Sequence, residues 1–250
     1  MIANKDHVED LKRCITSIQK NSTWSNYEII VVENNSTTPE IKDYYSQLLG
    51  LSGDDSYEER CKLHTVCGHD GGILHSGDGR ISIVTYHGDF NYSAVNDLGA
   101  SYASGEYILL LNNDTEVITA NWMEEMLMYA QREDVGAVGA KLYYADKTIQ
   151  HAGVVIGLGA HRTAGHTHYR IPVQNLGYMG RLCYTQNVTA VTGACLLVKK
   201  SLYEQVGGLD ESFVISLNDV DFCLKLRKLG LLNVWTPFAE LYYYESISRG

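Results

Sequence analysis

The chain has 250 residues, 45% of them apolar, and a formal net charge of −10 at pH 7. That length and apolar content suit one α/β domain with a large core. The acidic balance disfavours nucleic acid as a partner, because proteins that bind the phosphate backbone cluster Lys and Arg on one surface.

The N-terminus and the cysteines indicate a cytoplasmic chain. The first ten residues contain no apolar signal core, and no apolar run approaches the roughly 18 residues that cross a bilayer, so we predict no transmembrane segment. The six cysteines mostly lie in apolar runs, as the free thiols of a reducing compartment do. Peripheral docking at the inner face of the cell membrane stays open.

The first half of the chain alternates between helix and strand patterns. Apolar residues at helical spacing predict a first helix from Asp6 to Asn21, with Asp6 and Glu9 as a capping box. The elements that follow are a strand at 27–33, a helix that begins at Thr38 and Pro39 and reaches Leu49, a strand at 81–86, a helix at 92–104 and a strand at 107–111. Such alternation predicts a mostly parallel sheet with helices on both faces, and ligands of such sheets bind at the carboxyl ends of the strands.

The second half is less regular and predicts a mixed sheet attached to the first. Asn121 is a candidate N-cap for a helix at 122–133. Further strands are predicted within 135–144, 151–159 and 188–200, followed by a helix at 218–230.

Residues 50–80 form a break in composition, rich in Gly, Asp and His and poor in apolar periodicity. We therefore expect an exposed insertion loop. Four metal-ligand types lie close together here, but their spacing matches no standard zinc pattern. They are Cys61, His64, Cys67 and His69.

The strand at 107–111 runs directly into Asn112, Asn113 and Asp114. A carboxylate at the end of a buried strand can bind a hard cation that bridges phosphate oxygens. Asn and Asp are equally suited to a tight turn or a helix cap, and the local sequence does not separate the two interpretations. The segment 31–37 is a second strand that ends in polar residues, and two such ends favour a pocket rim.

The segment NDVDFCLKLRKLG places Asp219 in the first turn of a predicted helix. Such a carboxylate beside a pocket can act as a general base, although acids in first turns also serve the helix dipole alone. Earlier in the sequence, Gly193 and Ala194 precede an apolar strand. Small residues there allow a ligand to approach the backbone, or simply allow close strand packing.

Seven motifs follow one another along the chain: VVENNST, FNYSAVN, GEYILLLNNDTEVI, VTGACLLVKK, VGGLDESF, NDVDFCLKLRKLG and TPFAELYYYESISRG. Their order and spacing resemble family 2 glycosyltransferases, in the bacterial branch that includes polysaccharide and rhamnosyltransferase enzymes. The resemblance covers nearly the whole chain apart from residues 50–80. It implies a GT-A fold, with a nucleotide-binding half at 1–115 and an acceptor and catalytic half at 116–250.

The resemblance also implies a reaction and its participants. The reaction is an inverting transfer of a sugar from a nucleoside diphosphate sugar to a hydroxyl of a cell-surface glycan or lipid-linked acceptor. Mg²⁺ or Mn²⁺ is the implied cofactor. Asp219 matches the catalytic base, and the Gly193-Ala194 segment resembles the part of the family that faces donor sugar and acceptor.

Donor-site residues are implied in the same way. Asn112-Asn113-Asp114 resembles the DXD motif of the family, with Asp114 as metal ligand and Asn112 in the place of the first acid. Glu33 stands where family members have acids that contact the nucleotide, and Asn96 is a further candidate.

Two features depart from the family pattern. Relatives often have His near Tyr243 or Tyr244, where imidazole completes the metal or phosphate contacts, so we expect weak metal affinity. Relatives also begin with an apolar strand, whereas here only Met1, Ile2 and Ala3 precede Asn4. We therefore expect a fragment that lacks most of a central strand. These departures keep an alternative function open, namely a degenerate module that binds sugar nucleotide or glycan without turnover. A nucleotidyltransferase would need a Gly- and Arg-rich phosphate loop, which the sequence lacks.

Overall fold

Helices and strands alternate through the first half of the chain, as the sequence pattern predicts. The computed structural model describes residues 1–53, 55–66, 72–158 and 163–245, with the backbone alone for 63–66. Up to residue 111 the elements are β1 (Ile2–Asn4), α1 (Val8–Asn21), β2 (Ile29–Glu33), α2 (Pro39–Leu49), α3 (Tyr57–Val66), β3 (Ile73–His75), β4 (Ile81–Thr85), α4 (Tyr92–Tyr102) and β5 (Tyr107–Leu111).

The second half contains shorter strands and two long ones. Its elements are β6 (Thr115–Val117), α5 (Trp122–Ala130), β7 (Val135–Tyr143), β8 (Ile149–His151), β9 (Val154–Ile156), β10 (Ala164–His166), a 3₁₀ turn (Tyr178–Gly180), β11 (Gln186–Val188), β12 (Cys195–Lys199), α6 (Lys200–Gln205), α7 (Asn218–Lys228) and β13 (Leu232–Tyr243). The predicted strands and the two predicted helices of this half are therefore confirmed.

The first sheet has the order β1-β2-β4-β3, and its first three strands are parallel. Asn4 pairs with Glu33 and Glu33 with Thr85, so the carboxyl ends of these strands are level. The second sheet is mixed, with the order β11-β13-β7-β12-β5, in which β12 is antiparallel to both neighbours and β7 is parallel to β13. A small antiparallel pair of β9 and β10 lies beside them.

Met1 joins the two sheets. Its amino group donates to the carbonyl of Leu109 at 2.7 Å, and its own carbonyl accepts from the N–H of Leu111 at 3.1 Å. As a result β1 lies between β2 and β5. The two polar strand ends noted in the sequence share one edge of the fold, with β1 between them.

Helices cover both faces of the first sheet, as predicted. Val31 packs with α1 and α2, whereas Ile30 and Val32 on the same strand pack with α4. This alternation follows from the two-residue period of a strand, and a strand buried on both faces is continuously apolar. In the described part of the chain, no helix is both long and apolar enough to cross a membrane.

The expectation of an exposed loop at 50–80 is wrong in part, because the segment contains two regular elements, although most of its described side chains are exposed. It contains α3 and β3, and the ring of Tyr57 packs 5.0 Å from that of Tyr45. Leu74 on β3 is also buried. Only a few apolar residues anchor these elements, which is why no periodicity shows in the sequence. Cys67 and His69, and the side chain of His64, lie outside the described residues.

The predicted capping box is also wrong. His7 is the N-cap of α1 and makes no side-chain cap bond. Instead Asp6 has a positive φ of 58° and turns its carboxylate to the start of α2, where Oδ1 accepts from the N–H groups of Thr37 and Thr38 at 2.6 and 2.9 Å. These bonds lower the pKa of Asp6 against the opposing effect of its burial. The loops after β1 and β2 are therefore fixed to each other.

Candidate active site

A chain of four side chains connects the carboxyl ends of β5, β1 and β2. Asn113 Nδ2 donates to Asn4 Oδ1 at 2.7 Å, and Asn4 Nδ2 donates to the hydroxyl of Tyr45 at 2.9 Å. That hydroxyl donates in turn to Glu33 Oε2 at 2.6 Å. The polar residues at these strand ends therefore bind one another, which holds the edge of the sheet in one arrangement.

Two candidate donor-site residues form hydrogen bonds with other residues of the chain. Both oxygens of Glu33 are bonded, because Oε1 accepts from the N–H of Ser36 and Oε2 from the hydroxyls of Ser36 and Tyr45. Asn96 is buried in α4, where its Nδ2 donates to the carbonyl of Tyr92 at 2.8 Å. Glu33 is thus bonded within the loop after β2 and Asn96 within its helix, and their contact with the donor stays a prediction.

The turn after β5 is held by the neighbouring strands. The N–H of Asn112 donates to the carbonyl of Ala194 at 3.1 Å, and its Nδ2 donates to the hydroxyl of Tyr243 at 3.1 Å. Asp114 follows two residues later, with 6% of its surface exposed, and its carbonyl accepts from the N–H of Tyr244. Asp114 thus lies beside β6 and the end of β13, at the carboxyl edge of β5.

Asp219 and Gly193 are in direct contact. The N–H of Gly193 donates to Asp219 Oδ2 at 2.9 Å, and the N–H of Val220 donates to Asp219 Oδ1 at 2.8 Å. The carbonyl of Gly193 accepts from the hydroxyl of Tyr92 at 2.9 Å. A Cβ on Gly193 would lie 2.7 Å from that hydroxyl, so a larger residue here would force the Tyr92 side chain to shift. The carboxylate of Asp219 is only partly exposed and is fixed by two backbone donors.

These residues surround one cavity of about 480 Å³. Four residues proposed from the sequence line it: Asn112, Gly193, Ala194 and Asp219. Asp114, Asn113, Glu33 and Asn96 are not among the described lining residues. The structure therefore brings the candidate base, the glycine segment and the first residue of the Asn-Asn-Asp motif together, and leaves the buried Asp114 two residues along the chain from the cavity wall.

A larger cavity, of about 830 Å³, lies at the amino ends of the strands. Its lining includes Met1, Ile29 and residues 107–109. Ligands of open α/β sheets bind at the opposite, carboxyl ends. Several polar groups converge on the smaller cavity. We therefore take the smaller cavity as the candidate site.

Two histidines at this site were not predicted from the sequence. His166, at the end of β10, lines the cavity, and its Nδ1 lies 2.9 Å from Nδ1 of His151 at the end of β8. The N–H of Thr192 donates to the other nitrogen of His151, Nε2, at 3.4 Å. The segment HAGVVIGLG suggested only a strand, and the signal that was available is a histidine at its start, His151, with a second, His166, fifteen residues later.

Burial shifts both histidines toward the neutral form. It lowers the pKa of His151 well below the usual range, and the neighbouring His166 lowers it further. Burial also lowers the pKa of His166, against the opposing charges of Asp219 and Glu245. Both imidazoles are therefore neutral at pH 7.

The side chains near Asp114 can hold a hard cation only if a bound substrate supplies further oxygen ligands. In the described part of the chain, no three His, Cys, Asp or Glu side chains are arranged to hold a metal. Mg²⁺ commonly binds through one or two carboxylates together with phosphate oxygens and water, and the carboxylate of Asp114 fits that role. Tyr243, at the place where relatives often have His, bonds Asn112. The hydroxyl of Tyr244 donates to Glu116 Oε2 at 2.5 Å.

Comparison with protein families gives one match. The model of the family described as "Glycosyl transferase family 2" matches residues 72–207. Those residues include the Asn-Asn-Asp motif, both histidines of the pair and the Gly193 segment. They end before Asp219.

Two curated relatives align with almost all of this chain. "Uncharacterized protein y4gI" of Sinorhizobium fredii is 41% identical over 251 residues, which is 100% of this chain and 24% of the relative. "O-antigen biosynthesis protein RfbC" of Myxococcus xanthus is 34% identical over 246 residues, 98% of this chain and 17% of the relative. The chain thus spans a quarter or less of the length of these relatives.

Solved structures confirm the fold. The crystal structure of GalNAc-T7 with UDP, GalNAc and Mn²⁺ superposes with a TM-score of 0.68 at 14% identity, covering 97% of this chain and 43% of that chain. At this identity the likeness concerns the fold alone, which is GT-A as predicted.

Proposed function

Because this chain belongs to glycosyl transferase family 2, we propose that it transfers a sugar from a nucleoside diphosphate donor to an acceptor hydroxyl by an inverting displacement. One observation carries the proposal. Asp219 lies in a cavity with the Asn112 turn, and the N–H of Gly193 fixes its carboxylate at 2.9 Å. A base that is held in one orientation and shares a cavity with the proposed donor motif suits a reaction between two bound substrates.

Asp219 serves as the general base in this proposal. Its two carboxylate oxygens accept from the N–H groups of Gly193 and Val220, which keeps the charged form oriented toward the cavity. It takes the proton of the acceptor hydroxyl as that oxygen attacks the anomeric carbon of the donor sugar. The bond from that carbon to the diphosphate breaks in the same step, and a single displacement inverts the configuration.

The turn after β5 serves the donor. Bonds from Asn112 to Ala194 and Tyr243 fix the turn, and Asn113 is fixed by Asn4, so the segment is ordered before a ligand arrives. We propose Asp114 as the residue that holds Mg²⁺ or Mn²⁺. When bound, the cation would neutralise charge on the leaving diphosphate.

The acceptor is proposed as a cell-surface glycan or its lipid-linked precursor. The name of the Myxococcus xanthus relative refers to O-antigen biosynthesis, which supports that class. We place the reaction in the cytoplasm, because Cys14, Cys195 and Cys223 pack in the core as buried thiols, which suits a reducing compartment. The donor nucleotide is proposed as uridine or deoxythymidine diphosphate.

Calorimetry and a release assay test this function. UDP and dTDP are titrated with and without Mn²⁺, and release of nucleoside diphosphate is followed with a panel of UDP- and dTDP-sugars. We expect binding that is stronger with Mn²⁺ and release of diphosphate from at least one donor. A chain that binds neither nucleotide, with or without the metal, contradicts the proposal.

A second candidate function is a binding module without turnover. It is favoured by Asn112, which replaces an acid of the motif and donates a hydrogen bond from its amide to the hydroxyl of Tyr243. If the chain binds nucleotide without metal and releases diphosphate from no donor of the panel, the chain is such a binding module.

A further inference from the structure

The His151–His166 pair has only one arrangement of protons that satisfies its hydrogen bonds. The N–H of Thr192 must donate to His151 Nε2, so that nitrogen carries a lone pair. The proton of neutral His151 is then on Nδ1 and is donated to Nδ1 of His166, 2.9 Å away. His166 therefore carries its own proton on Nε2.

Backbone contacts hold the two rings in this position. The strand β10 pairs with β9, where His166 is opposite Val154. The next residue, Thr167, donates from its N–H to the carbonyl of Gly153 and from its hydroxyl to the carbonyl of Ala152 at 2.7 Å. The geometry of β8, β9 and β10 therefore presses His166 against His151, and the remaining edge of the ring is available to the cavity that His166 lines.

Two other polar groups of the cavity lack a partner within the described residues. Gln150 Oε1 and Asn218 Nδ2 are buried, and both residues line the cavity. Buried polar atoms are normally hydrogen-bonded, so a ligand with several hydroxyl groups would satisfy both. Tyr144 and Tyr169 also line the cavity, with ring centroids 6.0 Å apart, and they give it the apolar wall that a sugar ring needs beside a few fixed polar groups.

We propose that His151 fixes the tautomer of His166, and that His166 Nε2–H, Gln150 and Asn218 form a subsite that binds hydroxyl groups of the acceptor sugar beside Asp219. The assignment to the acceptor rests on the proposed function, because the base must lie next to the hydroxyl that it deprotonates. His166 is then a specificity-determining residue, and His151 is a positioning residue.

Nitrogen NMR tests the arrangement without any substrate. Long-range ¹H–¹⁵N correlation at neutral pH distinguishes protonated from bare ring nitrogens. We expect His151 protonated on Nδ1 and His166 on Nε2. The opposite tautomer in either ring overturns the proposal, and this outcome is independent of whether the chain turns over a donor.

Kinetics test the role of His166. Octyl glycosides serve as acceptor probes with whichever donor the native chain hydrolyses. Loss of one hydrogen bond predicts a rise of about tenfold in acceptor KM for His166→Phe, with a smaller rise for His166→Asn, which retains an N–H donor. We expect the donor KM to change less than the acceptor KM. An unchanged acceptor KM, or a rise in donor KM instead, overturns the subsite proposal. If the native chain neither binds nor hydrolyses a donor, that result counts against the proposed function.

Monodeoxy octyl glycosides make the test specific. A site built to bond a hydroxyl discriminates strongly against the analogue that lacks it. We expect the native chain to discriminate against one monodeoxy analogue and His166→Phe to lose that discrimination. Equal discrimination by the native chain and the variant contradicts a contact between His166 and the acceptor.

Discussion

The N–H of Gly193 donates a 2.9 Å hydrogen bond to Oδ2 of Asp219, which joins the segment before β12 to the first turn of α7. The two residues are 26 positions apart in the sequence. The neighbouring Thr192 bonds His151, so a single backbone segment holds both the proposed base and the histidine pair. Tyr92 closes the arrangement from α4, through its hydroxyl to the carbonyl of Gly193.

The close contact of Gly193 with Tyr92 predicts a coupled pair of substitutions. In Gly193→Ala, the new Cβ would meet the Tyr92 hydroxyl at 2.7 Å, and overpacking of this kind costs about 1–3 kcal/mol. Removing that hydroxyl in Tyr92→Phe relieves the clash. We therefore expect the double variant to be more stable than the sum of the single effects predicts. Urea unfolding of the four proteins measures the coupling, and strict additivity would show that the two residues do not press on each other.

The polar chain across the strand ends predicts a loss of stability in Tyr45→Phe. The substitution removes the donor to Glu33 and the acceptor of Asn4, both of them buried. An unsatisfied buried group costs about 1–3 kcal/mol. Tyr44→Phe on the same helix is the control, because the hydroxyl of Tyr44 makes no hydrogen bond within the described part of the chain. Equal unfolding free energies for the two variants would contradict the structural role of the network.

The histidine pair predicts that stability falls in mild acid. Burial lowers the pKa of His151 and His166 in the folded chain, so the unfolded chain binds protons at a higher pH. The stabilisation is complete above the ordinary histidine pKa of about 6.5 and is lost as pH falls below it. His166→Asn should reduce the slope of unfolding free energy against pH by up to about 1 kcal/mol per pH unit. Urea unfolding between pH 7.5 and about 5 checks this, and an unchanged slope would show that His166 is not held neutral.

The proposed metal ligand predicts a selective effect on nucleotide binding. Asp114→Ala should abolish the strengthening of UDP or dTDP binding by Mn²⁺, since it removes the carboxylate that we assign to the cation. Glu116→Gln is the matched control, because Glu116 lies two residues away and bonds Tyr244 instead. Calorimetry with and without Mn²⁺ measures both. Metal-dependent binding that survives in Asp114→Ala removes Asp114 from the donor site.

The regular elements and the position of Asp219 follow from local sequence. The continuous apolar run at 29–32 is typical of a strand buried on both faces, and Pro39 with the left-handed Gly50 (φ 72°) bounds α2 as the pattern predicts. The polar residues that follow Leu111 predict a functional edge, and the structure brings Asn112 to the cavity wall.

Contacts between distant segments explain what the sequence did not predict. Asp6 has the spacing of a cap for its own helix but bonds Thr37 and Thr38, because the turns after β1 and β2 meet at the sheet edge. The sequence also does not show that Tyr45 and Ser36 bond the carboxylate of Glu33, because these contacts depend on the packing of α2 against β2. His151 and His166 meet only through the pairing of three short strands, which no local pattern encodes.

Asp219→Asn gives the most direct measurement of the central claim. Asp221→Asn is its matched control, since Asp221 lies on the same helix and pairs with Lys225 at 3.1 Å. With a donor that the native chain turns over, we predict that kcat for sugar transfer falls by about 10²- to 10⁴-fold in Asp219→Asn, while nucleotide binding persists and Asp221→Asn retains native activity. Transfer at the native rate by Asp219→Asn would contradict the assignment of Asp219 as the base.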